Sequence, residues 1–201
     1  MGLYPFNTNW GPRWAQTDAP GILTTLGAAV MYSPGSPVVT DATWYMTSAN
    51  MRVGAYTLAR TAPDVGARNV VVSHTAAGIA DTLGTITVVG TNLAGAAISE
   101  VITPSSGATA VGAKAFATIT SVTGAGWVID GGNDTITIGF GALIGLPDML
   151  ADTAQVLCAS RNSVREGTHP TVAVSGTALE NNTVTLNSAL NGTPVRVYYW
   201  V

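Results

Sequence analysis

The chain has 201 residues, of which 47% are hydrophobic and only 9% are Asp, Glu, Lys or Arg, with a formal net charge of −3. That much apolar material can form a core, which excludes an intrinsically disordered chain, because such chains are charged and poor in apolar residues. Of the eight Lys and Arg, one is Lys114 and the rest are scattered from Arg13 to Arg196, so no basic cluster exists to bind nucleic acid directly.

Residues 1–37 read as an extended arm. Tyr4, Phe6, Trp10 and Trp14 crowd together among Pro5, Pro12, Pro20, Pro34 and Pro37. Proline blocks regular helix and interior strand, while exposed aromatics are costly in water, so the arm is expected to lie on protein. Those four aromatics are the candidate interface residues. Two placements fit equally: folded back on the arm's own domain, or reaching onto a neighbouring subunit. Within it, residues 21–31 suit a short helix or a strand.

From residue 38 onward the signals are strands. Residues 38–40, 51–58 and 69–73 are short and rich in β-formers. Residues 85–91, Thr-Ile-Thr-Val-Val-Gly-Thr, alternate apolar and hydroxyl side chains, the period of a half-buried strand. Asn92-Leu93-Ala94-Gly95 predicts a turn and residues 97–103 the return strand. Residues 116–123 form another alternating strand. Residues 127–129 and 135–138 predict a hairpin across the turn Asp130-Gly131-Gly132-Asn133-Asp134. One helical turn is expected within 147–154. Residues 171–175, 183–186 and 195–201 complete the set. Many short strands with Gly-rich turns predict an all-β protein, a sandwich or jelly-roll-like stack of antiparallel sheets over residues 38–201, preceded by the arm 1–37.

Little in the chain points to chemistry. His74 and His169 have no ligand-like neighbours of the kind a zinc site needs, and no nucleophile-elbow Gly-x-Ser-x-Gly is present. The turn 130–134 offers oxygens for Ca²⁺ without EF-hand spacing, and Gly-Gly between strands is what a tight turn requires anyway. The glycines between Gly139 and Gly145 are wrongly spaced for a dinucleotide loop and mark a bulge or bend. Cys158, the single cysteine, sits in an apolar run as a small hydrophobe and forms no intrachain disulfide. No pair of acids stands out for glycoside cleavage. The expectation is therefore a protein without catalysis, metal or cofactor. No apolar stretch reaches bilayer-spanning length and the first residues lack a signal-peptide pattern, so no membrane partner is expected either.

The scarcity of charge has its own meaning. A surface of Ser, Thr, Asn and Gly costs less to desolvate than a charged one, so it suits lasting contact with other protein. Residues 69–201 also resemble virion structural proteins of tailed bacteriophages. The resemblance is carried by Asp81-Thr82-Leu83-Gly84-Thr85-Ile86-Thr87-Val88, Gly90-Thr91-Asn92-Leu93-Ala94-Gly95, Ala115-Phe116-Ala117-Thr118-Ile119-Thr120-Ser121-Val122 and Asp130-Gly131-Gly132-Asn133-Asp134-Thr135-Ile136. It extends through Val164-Arg165-Glu166-Gly167 and from Asn182-Thr183-Val184 to Asn191-Gly192-Thr193. The resemblance implies a capsid decoration (cement) protein in the phage particle, assembled in the host cytoplasm. Such a protein is a homo-oligomer such as a trimer and binds the major capsid protein. A tail or neck component is the first alternative. A glycan-binding module using Trp127 or Trp200 is the second.

Overall fold

The computed structural model describes residues 28–77, 82–128 and 132–201. Thirteen strands follow in chain order among them: β1 (Ala29–Gly35), β2 (Asp41–Asn50), β3 (Arg68–Thr75), β4 (Thr85–Thr91), β5 (Ala97–Ile102), β6 (Thr109–Phe116), β7 (Thr118–Ala125), β8 (Thr135–Gly145), β9 (Val156–Arg161), β10 (Val164–Arg165), β11 (Thr171–Ala173), β12 (Thr183–Thr185) and β13 (Val195–Trp200). Every paired neighbour is antiparallel, and the fold is all-β. The strands make three sheets, ordered β5-β4-β7, β11-β12-β8-β3-β6 with β2 also on β8, and β1-β13-β9-β10.

Two cores lie between these layers, and β8 contributes to both. In the first half, Val70 and Val72 of β3 and Ile136, Ile138 and Phe140 of β8 meet Ile86, Val88, Ile98, Ile119 and Val122 from β4, β5 and β7. In the second half, Ile144 near the end of β8 and Val184 of β12 meet Val156, Val197 and Tyr199 of β9 and β13. Full burial of each such side chain stabilises by roughly 1.5–3 kcal/mol. Aromatic edges tighten the first core: Trp44 and Tyr45 approach Phe140 with ring centroids 5.3 and 6.4 Å away, both T-shaped.

The glycines of β8 exist for close approach. A Cβ on Gly139 would sit 1.8 Å from the Asp41 carbonyl oxygen, and one on Gly141 would sit 2.5 Å from the Asn69 side chain. The bulge or bend expected between Gly139 and Gly145 lies within strand β8: pairing with β3 steps from Phe140 opposite Val70 to Ile144 opposite Arg68, and the Leu143 amide there donates to the Asn69 side chain. The pairing of β2 with β8 is irregular too, with register shifts on either side of Met46.

Several expected boundaries move. Residues 29–35 of the expected arm are strand β1, paired with β13 from Ala29 opposite Trp200 to Gly35 opposite Val195. Residues 38–40 are not strand; β2 begins at Asp41. The stretch 51–58 is a 3-10 turn, Met51–Val53, followed by an irregular run with one bridge from Ala55 to Thr123. Residues 116–123 are two strands, broken where the Ala117 N–H leaves its own strand to donate to the Thr91 carbonyl. The β4–β5 hairpin forms as expected, its turn closed by the Asn92 side chain accepting from the Ala94 and Ala96 amides. The hairpin expected across residues 130–134 does not form. Val128 bridges Thr82, whereas β8 pairs with β3, β2 and β12, because its apolar side chains are needed in both cores. The helical turn is Thr153–Gln155, capped by Asp152 and Gln155.

Candidate interaction surface

The outward face of the β5-β4-β7 sheet is built from the alternation in its strands. Ile86, Val88, Ile98, Ile102, Ile119 and Val122 point to the core, which sends the intervening residues outward. Register aligns these in rows: Val101–Thr87–Thr123, Ser99–Val89–Ser121 and Ala97–Thr91–Thr118. The hydroxyls of Thr91 and Thr118 bond to each other at 2.6 Å, and the Thr120 hydroxyl donates to the Val89 carbonyl. No side chain in these rows ionises, and Val101 is 62% exposed at the margin. The result is a stiff surface whose hydroxyls are partly satisfied within the sheet. Covering it with protein strips little bound water and buries no charge.

Several charged and strongly polar groups are instead buried inside. Arg68 is fully buried, pairs with Asp64 at 2.8 Å, donates from Nε to the Gly141 carbonyl and lies 4.5 Å over the Phe140 ring. Burial pushes its guanidinium pKa down and Asp64 opposes that shift. In the second half Asn182, also fully buried, accepts from the Leu150 and Ser175 amides and donates to the Ser175 and Ala178 carbonyls. Such saturation fixes the loops around it.

Glu100 reaches from β5 to β6 and accepts from the Ala113 amide at 2.6 Å. Burial pushes its carboxyl up, partly offset by the Ala113 and Lys114 amides and the Lys114 charge. Gly112 makes room for it, since a Cβ there would stand 2.6 Å from Oε2. Lys114 also meets Glu180 at 3.5 Å. For Glu180 burial acts upward, but its own backbone amide, Asn92 and Lys114 outweigh it and leave the carboxyl below its ordinary value.

The residues singled out for chemistry are occupied in the same way. The Gly107 amide donates to Nδ1 of His74, which puts the ring proton on Nε2, where it is donated to Asp134 at 2.8 Å. The other Asp134 oxygen accepts from the Ala77 amide. Asp134 is thus committed to holding the start of β8 against β3, while Asp130 of the same turn lies outside the described residues. Both nitrogens of His169 face carbonyl oxygens, of Pro170 and Val156, so the ring fastens the 169–170 stretch to β9. Cys158 is half-buried on β9 rather than in the core. Trp127 is half-buried and packs against the first core, and Trp200 is half-buried on β13.

No protein family, curated protein or solved structure matches this chain. Among the described residues no group of three His, Cys, Asp or Glu is placed to hold a metal, and no helix is long and apolar enough to cross a membrane. Tyr4, Phe6, Trp10 and Trp14 lie outside the described residues. The charge-free face was only half legible in the sequence. The Thr-x-Thr alternation marked β4 as half-buried, but only the register shows that three such strands lie side by side.

Proposed function

We propose that this protein is a non-enzymatic structural component of a phage particle, a head decoration protein that assembles with itself and binds the major capsid protein. The observation that carries this reading is the uncharged outer face of β5-β4-β7, on a chain with 9% charged residues. A protein free in solution keeps mixed charge at its surface for solubility, whereas a face of Thr, Ser, Ala and Val is suited to permanent cover. The phage setting is proposed from the resemblance read in the sequence of residues 69–201. Burial of apolar area at about 25 cal/mol per Å² supplies each contact, and many copies on one shell multiply weak contacts into stable attachment. Two sheet layers around each core supply stiffness.

The test is addition of purified protein to particles assembled without it. Saturable binding of hundreds of copies per head, with heads more resistant to heat, is the expected result. Presence of the protein in isolated tails and absence from heads would overturn the decoration role in favour of a tail or neck component.

A further inference from the structure

Lys114, the single lysine of the chain, stands beside a carboxylate that also holds a carboxamide. Its Nζ lies 3.5 Å from Oε1 of Glu180, and Nδ2 of Asn92 donates to Oε2 of the same carboxylate at 3.3 Å. Three separate elements bring these groups together. Lys114 is on β6, Asn92 opens the β4–β5 turn, and Glu180 belongs to the 3-10 turn Leu179–Asn181, which packs on β6. The nearby Glu100 carboxylate is taken up by the Ala113 and Lys114 amides. Asn92 is buried, and the Glu180 and Lys114 side chains are 11% and 31% exposed, so little water competes for the amide carbon. The Asn92 side chain is held in one orientation. Its Oδ1 accepts from the Ala94 amide at 3.0 Å and the Ala96 amide at 3.1 Å, which turns Nδ2 toward Glu180. Two backbone N–H groups aimed at one carbonyl oxygen polarise the carbonyl and make an oxyanion hole. An amine, an activated amide, a shared proton carrier and oxyanion donors are the parts of an acyl transfer.

We propose that Lys114 and Asn92 join in a self-formed isopeptide bond, with Glu180 as proton carrier and the Ala94 and Ala96 amides as oxyanion hole. Glu180 takes a proton from the Lys114 ammonium, which frees the nitrogen lone pair. Nζ then attacks Cγ of Asn92, and the negative charge gathering on Oδ1 rests on the two amides. Glu180 returns its proton to Nδ2, the Cγ–Nδ2 bond breaks and ammonia leaves. The excess proton on Nζ passes through Glu180 to that ammonia, so the products are one amide and one ammonium ion. Nothing is oxidised or reduced. The reaction runs once in each chain, so it is self-modification and not turnover. The bond ties the turn of the β5-β4-β7 sheet to β6 of the sheet that contains β8, closing a ring through residues 92–114. A chain with one cysteine has no intrachain disulfide, and this link supplies the same kind of restraint on the unfolded chain. It needs no partner and stands apart from the decoration reading.

The test is peptide mapping by mass spectrometry of the purified full-length protein, incubated folded at neutral pH and then denatured. Trypsin with a glutamyl endopeptidase cuts after Arg68, Glu100 and Arg161, which parts Asn92 from Lys114 unless they are bonded. Residues 69–100 and 101–161 are expected to stay joined, lighter by one ammonia than the two pieces together, with no tryptic cut after Lys114. Lys114→Arg keeps a cation beside Glu180 but removes the nucleophile, and Glu180→Ala removes the proton carrier. Both variants, checked for the same β-type circular dichroism, are expected to give the two pieces apart at full mass. Separate pieces from the unaltered protein would overturn the inference. An equal ammonia loss in Lys114→Arg would overturn it by assigning the loss to another asparagine. A cross-link formed equally fast in Glu180→Ala would overturn the role given to Glu180.

Discussion

The two halves of the molecule share β8 but turn opposite kinds of surface outward. The first half ends in the β5-β4-β7 sheet, whose exterior is rows of Thr, Ser, Ala and Val; the second ends in β1-β13-β9, whose exterior is Met31, Tyr198, Trp200 and Leu157. Both arise from the same alternation, so the difference lies in what occupies the outward positions and not in the fold. A hydroxyl-rich face tolerates water until a partner arrives, while an aromatic face calls for immediate cover.

Each half carries a buried polar lock, Arg68 in the first and Asn182 in the second, and breaking these gives the largest expected effects. Arg68→Met leaves Asp64 and the Gly141 carbonyl without their partner in the first half, and loss of about 3–5 kcal/mol in urea unfolding is expected. Asn182→Ala strands the Leu150 and Ser175 amides in the second half and should cost about 3 kcal/mol. Because β8 enters both cores, each variant should lower a single transition seen alike by tryptophan fluorescence and circular dichroism. Two separated transitions would show that the halves are independent.

The faces themselves are probed with smaller changes. Thr87→Lys together with Val101→Glu places charge on the neutral rows and should lower head binding at least tenfold. Stability should fall by no more than about 1 kcal/mol, since Val101 is exposed and Thr87 half-buried. Binding that survives both charges would transfer the contact to another surface. The smallest effect concerns Glu100, beside Lys114 at the junction of β5 and β6. Burial raises its pKa in the folded state, so the folded protein holds this proton more tightly than the unfolded chain. Its contribution is therefore full in acid and is lost as pH rises from the ordinary carboxylate range through the raised folded value. Relative to Glu100→Gln, the wild-type protein should lose unfolding free energy as pH increases through that interval. A gain instead would mean that the Ala113 and Lys114 amides outweigh burial.

Much of this was legible where local pattern and burial coincide. The alternation of residues 85–91 and the Asn92–Gly95 turn produced a hairpin as read, because both its strands lie in one sheet with one face covered. Residues 109–116 carried no readable signal. Ala, Gly and Lys dominate there, and β6 owes its strand to pairing with β3 and to Glu100 reaching its amides. Residues 29–35 read as arm because Pro34 and Gly35 mask a strand that needs β13, far along the chain, to exist. The 127–138 hairpin was misread for the opposite reason. β8 is claimed by long-range partners on both sides. In the candidate surface, hydroxyl content was visible, while the adjacency of rows and the aromatic patch on the opposite sheet required register.

The pairing of Ala29 with Trp200 closes strands that lie far apart in the chain. Until residues 195–200 have been synthesised and inserted between β1 and β9, Val30, Tyr32 and Val156 have no partner strand and remain open to other chains. Contacts this distant in sequence close slowly, on the order of milliseconds to seconds, and a chain with so little charge has weak protection against clumping in the interval. Recovery of soluble protein should therefore improve when synthesis is slowed and cooled.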